Sequence, residues 1–168
     1  SSTNGKVAHT TDGGATWSGA TSLASNGSGY FPVVSATGSS AVVGYAVWAP
    51  PYLYSASRRT TDKGATWKSV VNLDAPTGNP SFQPRITRGG SRWQAIYERC
   101  IDAACATSAT YHRSSADGAT WTTPSRLSAS PREYESPGGL AYADRLGALF
   151  VDDSAALLDS DLFFVAGS

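Results

Sequence analysis

Residues suited to contact a sugar stand together in the segment Trp48-Ala49-Pro50-Pro51-Tyr52-Leu53-Tyr54. Its two prolines restrict the backbone, and its aromatic rings have the flat apolar faces on which sugar rings stack. A rigid loop loses little conformational entropy on binding, which suits lectin-like recognition. We therefore predict Tyr52 and Tyr54 as ligand contacts, with packing between sheets as the alternative, and we expect Trp48 in the core.

The aspartates and histidines of the chain, which could in principle bind a metal ion, do not have the spacing of a known metal site. Four aspartates fall close together near the end of the chain, namely Asp152, Asp153, Asp159 and Asp161. Oxygen-rich loops can hold calcium, but this spacing is not that of an EF-hand, so turn-forming aspartates are the prediction. His9 and His112 form no recognisable metal pair or Ser/His/Asp group, and no glycine-rich phosphate loop is present. We predict no metal and no cofactor.

The two cysteines, Cys100 and Cys105, are close enough in sequence for a tight loop to join them. In a chain with the composition of an exported protein we predict a disulfide, with two reduced thiols as the alternative. A ring this small gains about 1–2 kcal/mol from the cross-link. The bond is therefore expected to hold a loop rather than the fold.

Charge and composition restrict the partners. The 168 residues include 13 basic and 13 acidic side chains, so no net field attracts nucleic acid or an acidic membrane surface. No apolar stretch approaches the roughly 20 residues of a membrane span, and no signal-peptide pattern is visible. Only 15% of residues are charged and Met is absent. We expect a mature or trimmed protein that is secreted or extracellular.

One motif recurs three times along the chain. The sequence T-T-D-G-G-A-T-W runs from Thr10 to Trp17, T-T-D-K-G-A-T-W from Thr60 to Trp67, and S-S-A-D-G-A-T-W from Ser114 to Trp121. A short Asp side chain can accept backbone hydrogen bonds within a tight turn, Gly supplies positive φ, and Trp packs between sheets. These roles are structural, and we assign them to Asp12, Gly14, Trp17, Asp62, Gly64, Trp67, Gly118 and Trp121.

Further residues recur in phase with the motif. A proline follows each motif tryptophan at Pro32, Pro84 and Pro137. Next come three apolar runs that end in an aromatic residue and are typical of buried strands: Ala46-Val47-Trp48, Ala95-Ile96-Tyr97 and Ala148-Leu149-Phe150. Each repeat is thus predicted to contain three strands, the motif and a fourth strand.

The motif resembles the Asp box, or bacterial neuraminidase repeat, of the β-propellers of the sialidase-like superfamily. The first two copies fit S/T-x-D-x-G-x-T-W throughout, whereas the third has Ala116 in place of the aspartate and Asp117 one position later. The resemblance implies an all-β fold of four-stranded antiparallel propeller blades. We expect the third turn to be weaker or to be hydrogen-bonded differently.

On this interpretation residues 1–168 form a single partial β-propeller. A partial blade at 1–23 carries the first box, complete blades follow at 29–74 and 80–128, and a partial blade occupies 133–168. This is about three blades, whereas closed propellers typically have 4–8. We expect either a homodimer that completes a six-bladed ring or the remainder of a longer chain to cover the open faces.

The resemblance also implies site residues. Sialidases hold a sugar carboxylate with three arginines, and Arg85 stands where neighbouring units have Val33 and Gly138. Thr87 replaces the proline of the family's R-I-P motif. The family's tyrosine nucleophile and its assisting glutamate suggest Tyr134 and Glu135, with Arg132 as a ligand contact. The alternatives are an arginine with a local partner and a polar loop on the propeller rim.

Three functions remain open at this stage. A glycan-binding module ranks first, because it needs no complete catalytic set. A sialidase-type exo-glycosidase that cleaves terminal sialic acids is the second, on the strength of the resemblance. The third is a structural propeller unit without a ligand.

Overall fold

The computed structural model describes residues 4–25, 28–128, 137–142, 145–152 and 161–166. Within these ranges the chain forms strands, turns and irregular segments without a helix. A helix long and apolar enough to cross a membrane is accordingly not found in the described part of the chain. The predicted all-β fold is confirmed.

The described strands form four antiparallel sheets in chain order. The first sheet has two strands, β1 (Lys6–Val7) and β2 (Thr21–Ser22). The second sheet has four, in the order β3 (Ser28–Thr37), β4 (Ser40–Ala49), β5 (Tyr52–Thr60) and β6 (Val71–Asn72). The third has β7 (Ser81–Gly89), β8 (Arg92–Cys100), β9 (Ser108–Ser115) and β10 (Ser125–Arg126). The fourth has β11 (Pro137–Tyr142), β12 (Arg145–Asp152) and β13 (Asp161–Ala166).

The sheets are arranged as propeller blades. Strand β7 contacts both β3 and β11, so the first strand of each sheet lies next to the first strand of its neighbour. Strands β4 and β5 also contact β7, as expected where successive sheets stack face to face. The sheets therefore pack around a common side, with β3, β7 and β11 innermost.

Antiparallel pairing gives the second and third sheets two distinct edges. One edge, which we call the connection edge, carries the β4–β5, β6–β7 and β8–β9 connections. The opposite edge, the box edge, carries the β3–β4 and β7–β8 hairpins and the Asp-box turns. The connections between strands and the box turns are thus separated by the length of a strand.

Two cores lie between successive sheets. In β4, Val43, Tyr45 and Val47 point towards the first sheet, whereas Val42 points towards the third. This alternation is the period-two pattern of a strand buried on both faces. The core between the second and third sheets contains Val42, Leu73, Ile86, Trp93, Ala95, Tyr97 and Trp121.

The prediction that Trp48 is buried in the core is wrong. Val33 pairs with Gly44 and Arg85 with Ile96 after the same bulge, so the residue equivalent to Tyr97 is Tyr45 and not Trp48. Tyr45 and Tyr97 are both completely buried, whereas Trp48 lies three residues further along, near the end of β4, and is 41% exposed. Because the apolar runs are similar in sequence, aligning them by eye places the two strands three residues out of their true register.

The first two box turns are closed by their aspartates. Asp62 accepts hydrogen bonds from the backbone N–H of Thr66 at 2.9 Å and from the hydroxyls of Thr60 and Thr66. Asp12 makes the equivalent contacts in the first turn. These hydrogen bonds lower the pKa of both carboxyl groups, which therefore remain ionised acceptors at neutral pH.

The third turn is hydrogen-bonded by the displaced aspartate. Asp117 accepts from the backbone N–H groups of Ala119 and Thr120 at 2.8 and 2.9 Å, and from the Ser115 hydroxyl at 3.0 Å. The backbone of Asp117 also accepts a 2.7 Å hydrogen bond from Arg59 of the preceding sheet. The turn is thus re-hydrogen-bonded around Asp117 and tied to its neighbour.

The box tryptophans do not share one environment. Trp121 is part of the core between the second and third sheets, and Trp67 packs against the core between the first and second. Each of these two packs towards the sheet that precedes it. Trp17 differs from the expectation, because it belongs to the first sheet and is 64% exposed.

In each complete sheet, one arginine donates hydrogen bonds to backbone carbonyl groups of both its own sheet and the preceding one. Arg113 in β9 donates to the carbonyl oxygens of Thr122, Trp121 at 3.1 Å and Leu73 at 2.7 Å. Arg58 in β5 donates in the same way to Lys68 at 2.8 Å, Trp67 at 3.0 Å and Ser22 at 2.8 Å. The planar guanidinium thus bridges the end of the box in its own sheet and the end of the previous sheet.

Candidate functional site

The third sheet carries polar residues at positions that the repeat does not require to be polar. Leu23 and Leu73 are equivalent, since both are fully buried and both follow the last strand of a sheet. The next residues are Ala24 and Asp74. By the strand register, Val47 is equivalent to Arg99 and Ala56 to Tyr111. Between the second and third sheets, a carboxyl group, a guanidinium and a phenol therefore replace the small or apolar side chains found between the first and second sheets.

These residues lie together at the connection edge, and we call Asp74, Tyr97, Arg99 and Tyr111 the Asp74 cluster. The Nε of Arg99 is 3.6 Å from Oδ2 of Asp74. The guanidinium carbon of Arg99 lies 5.2 Å from the ring centroid of Tyr111, which stacks on Tyr97 at 6.1 Å between centroids. Arg99 is thus held by a carboxylate at one end and by an aromatic face at its side.

Exposure differs strongly within the cluster. The side chain of Asp74 is 6% exposed, whereas that of Arg99 is 33% exposed. No other hydrogen bond or ion pair joins Arg99 to a described residue. The terminal nitrogens of the guanidinium, its strongest bidentate donors, are therefore left for another partner.

The cluster also contains buried polar atoms whose hydrogen-bonding capacity the described residues do not use. Oδ1 of Asp74 accepts from the Ala75 N–H at 3.0 Å, and the nearby Ser81 hydroxyl also acts to lower the pKa of Asp74, but among the described residues no hydrogen bond of standard geometry reaches Oδ2 of Asp74 or the hydroxyls of Tyr97 and Ser55. Ser55 belongs to the same region, since its carbonyl accepts from the Asp74 N–H at 3.1 Å. Buried polar atoms are usually hydrogen-bonded, so these three atoms retain the capacity to bond a further partner.

Burial alters the acid–base behaviour of this cluster. Burial raises the pKa of Asp74, and the nearby positive charge of Arg99 only partly opposes that change. Burial likewise raises the pKa of the Tyr97 phenol, which stays neutral throughout the physiological range. Asp74 can therefore hold a proton at a higher pH than an ordinary aspartate, as a general acid must.

A second polar group occupies the opposite face of the third sheet. Arg85 in β7 pairs across the strands with Ile96, which pairs with His112, while Glu98 lies two residues further along β8. Glu98 is almost completely buried, and His112 Nε2 lies 2.7 Å from the side-chain oxygen of Gln94. Burial, and secondarily Arg92, lowers the pKa of His112. The equivalent positions in the second sheet are Val33, Ala46 and Ser57, with no charge among them.

Arg85 itself lies halfway along the innermost strand β7 and is half-buried. It forms no hydrogen bond or ion pair with any residue that the structure describes. An arginine at the inner strand without a local partner is compatible with the predicted ligand contact.

The other predicted contacts fare differently. Tyr52 is exposed at the start of β5, at the connection edge. Tyr54 is 5% exposed and packs in the core between the first and second sheets, so we do not retain it as a ligand contact. Arg132, Tyr134 and Glu135 lie outside the described residues.

The cysteines form the predicted disulfide, which lies beside the Asp74 cluster. Cys100 follows Arg99 directly and is bonded to Cys105 across the β8–β9 connection. The Cys100 N–H donates to Pro80 at 2.8 Å, and the Asn79 side chain donates to the carbonyl of Ile101 at 2.7 Å. The two connections that flank Arg99 are thus fixed to each other.

Asp74, Glu98, Arg99 and Tyr111 were missed in the sequence. The signal that reveals them is a comparison of the repeats in the correct register, in which each replaces a small or apolar residue. No group of three or more possible metal ligands occurs among the residues that the structure describes.

Comparisons with known proteins identify the fold. No protein-family model matches the sequence, and no curated protein matches it. The structure resembles that of a Penicillium chrysogenum α-L-arabinanase complexed with arabinobiose, with a TM-score of 0.58, 17% sequence identity, and coverage of 95% of this chain and 54% of that one. It also resembles the GH93 α-L-arabinofuranosidase of Fusarium graminearum, likewise with arabinobiose, with a TM-score of 0.58, 16% identity, and coverage of 96% and 52%.

At these identities the likeness shows the fold alone. The chain spans about half the length of both enzymes. It therefore has a β-propeller fold of the kind found in glycoside hydrolases, and the likeness does not single out sialidases.

Proposed function

We propose that this chain is the carbohydrate-binding part of a β-propeller protein, and that the glycan binds at the connection edge beside the Asp74 cluster. The observation that carries the proposal is Arg99, which is positioned by Asp74 and Tyr111 and whose terminal nitrogens have no hydrogen-bonding partner among the described residues. The second sheet shows that the fold needs only Val47 and Ala24 at these positions. The similarity to two structures that contain arabinobiose supports a sugar as the ligand.

The chemistry of the edge suits a sugar. Hydroxyl groups on neighbouring ring carbons pair well with planar donors and acceptors such as guanidinium and carboxylate, and exposed aromatic rings pack against the apolar face of a sugar. Tyr52 supplies such a ring. Arg85, and Arg132 from the next connection, remain proposed ligand contacts.

Hydrolysis is the second candidate, and the buried carboxyl of Asp74 favours it. Its raised pKa suits a group that protonates a leaving glycosidic oxygen, so activity would fall as pH rises through that pKa and the proton is lost. A sialidase activity, with Arg85 binding a sugar carboxylate and Tyr134 and Glu135 at the reacting carbon, is a more specific proposal that rests on the Asp-box resemblance. The competing proposal is that the substrate is an arabinan.

We also propose that the protein is extracellular and that a second copy, or the remainder of a longer chain, covers the open faces. The disulfide suits an oxidising compartment. The two-stranded first sheet, with Trp17 exposed, is the face that needs covering. Light scattering that gives twice the chain mass of 17.5 kDa would support a homodimer.

Calorimetry on the species of established mass tests the binding proposal. The titrants are arabinobiose, longer arabino-oligosaccharides and sialyllactose, with release of reducing sugar as the test of hydrolysis. The informative variant is Asp74→Ala with Arg99→Val, because it restores the residues of the second sheet and leaves no unpaired charge. Arg88→Val is the matched control, since Arg88 also stacks on a ring, that of Trp93 at 4.8 Å, but near the box edge.

We expect saturable binding of at least one titrant by the native chain, and a loss of about tenfold or more in the double variant, equivalent to about 1.4 kcal/mol. Arg88→Val should change affinity by less than about twofold. Equal affinity of the double variant and the native chain would place the ligand elsewhere. The absence of binding to every titrant would refute the function.

A further inference from the structure

Phe31 combines two unfavourable features without a visible benefit to folding. Its φ is +51°, in the left-handed region that a bulky residue rarely adopts. Its ring is 64% exposed and belongs to none of the described cores. Within the described residues, its one aromatic neighbour is Tyr30, at 6.4 Å between ring centroids.

The repeat explains the backbone of Phe31 but not its side chain. The third sheet has the same bulge, in which Gln83 also has a φ of +51° and also precedes a proline, Pro84. The fold therefore requires a left-handed residue at this point of the inner strand, and a polar residue can fill the position. A phenyl ring is a property of the second sheet alone.

The location of Phe31 joins it to the proposed site. It is the fourth residue of β3, the innermost strand of the second sheet, and lies near the connection edge. Ser28, three residues earlier, pairs with Trp48, and Tyr52 lies at the start of the next strand but one. Exposed aromatic rings are thus gathered at this edge, with Phe31 nearest the common side of the sheets.

We infer that Phe31 is a sugar-stacking residue, whose ring packs against the C–H face of a glycan bound at the connection edge. The inference rests on the proposed function and names the contact that gives it affinity. Strained or exposed groups persist where binding requires them, and a flat apolar ring on a rigid strand loses little entropy when a sugar stacks on it. The bulge between Tyr30 and Val33 places Phe31 at an unpaired position of β3, and its ring is exposed there.

The test is Phe31→Gln, which installs the residue that the third sheet carries at the same φ. Phe31→Tyr is the conservative variant. Val34→Thr is the matched control, since Val34 is another exposed apolar residue of β3 and lines the gap beside the first sheet. Calorimetry with arabinobiose and with sialyllactose measures affinity, thermal unfolding measures stability, and ligand NMR measures the upfield shift that a stacked ring imposes on sugar C–H protons.

We expect Phe31→Gln to have a Tm at least as high as the native chain, to bind at least about fivefold more weakly, and to lose the upfield shift. Phe31→Tyr and Val34→Thr should each stay within about twofold of native affinity. Native affinity in Phe31→Gln would overturn the inference while leaving the proposed function intact. A Tm loss of several degrees in that variant would overturn it too, because Phe31 would then be a folding residue. If the native chain binds neither sugar and no longer arabino-oligosaccharide, both proposals fall together.

Discussion

Within one box turn, the aspartate and the glycine act on different parts of the molecule. Asp62 closes the turn on itself through Thr60 and Thr66. Gly64 instead lets the turn approach the preceding sheet, because a Cβ there would lie 2.8 Å from the Cβ of His9. Gly118 is closer still, at 2.6 Å from a methyl carbon of Val42. The sequence predicted the positive φ of these glycines, but the contact depends on the neighbouring sheet.

A pair of glycine substitutions separates these two effects. In Gly118→Ala the new methyl group meets Val42 and the residue also has a φ of +75°, whereas in Gly14→Ala the φ is +98° and no atom lies within 4 Å. A left-handed alanine alone costs about 1–2 kcal/mol. Overpacking adds about 1–3 kcal/mol to Gly118→Ala. Chemical denaturation should therefore show the larger loss at Gly118, and equal losses would contradict the inter-sheet contact.

At the scale of elements, each complete sheet is fastened to its predecessor by one arginine. Arg58 and Arg113 occupy equivalent register positions in β5 and β9, since Arg58 pairs with Val43 and Arg113 with the equivalent residue Ala95. Each bridges three backbone carbonyl groups from two sheets. In the first unit the corresponding residue is Ala8. These arginines explain how stacked sheets keep their spacing without long connections.

Arg113→Lys tests this role. A lysine keeps the charge but cannot donate to three carbonyl groups in a fixed plane, so we expect a loss of about 2–4 kcal/mol in the free energy of unfolding. The exposed Arg126→Lys should stay within about 0.5 kcal/mol of the native chain. A loss at Arg113 no larger than that at Arg126 would show that the carbonyl contacts do not hold the sheets together.

The sequence indicated the elements better than it indicated their register. The box recurs with little change, so its positions and the strands around it were predictable from spacing. The runs that end in Trp48 and Tyr97 look alike, yet the strand register and the burial show that Tyr45, and not Trp48, is the structural equivalent of Tyr97. Because the candidate site is visible only in the correct register, Arg99 and Asp74 escaped prediction. Exposure of Phe31 and burial of Tyr54 depend on packing between sheets, which no local pattern encodes.

For the whole molecule, the box turns and the proposed sugar-binding site lie at opposite edges of the sheets, one strand length apart. The ionised box aspartates close their turns at one edge, where Gly64, Gly118 and the hydrogen bond from Arg59 to the Asp117 carbonyl bring neighbouring sheets together. The other edge carries Arg99, Tyr52 and Trp48. Tyr52 and Trp48 are exposed to solvent there, and Arg99 is charged at a position where the second sheet has an apolar residue. Repeated sheets thus provide a scaffold, and individual replacements in one repeat provide the chemistry.

An NMR titration that follows backbone amides tests this separation most directly. Arabinobiose and sialyllactose are added in turn to the native chain, with the box-turn amides of Gly14, Gly64 and Gly118 as internal references. We predict that a bound sugar shifts the amides of Tyr52, Ala75 and Arg99 at the connection edge and leaves the box turns unchanged. Saturable shifts centred on the box turns, or none at the connection edge with either sugar, would contradict the account.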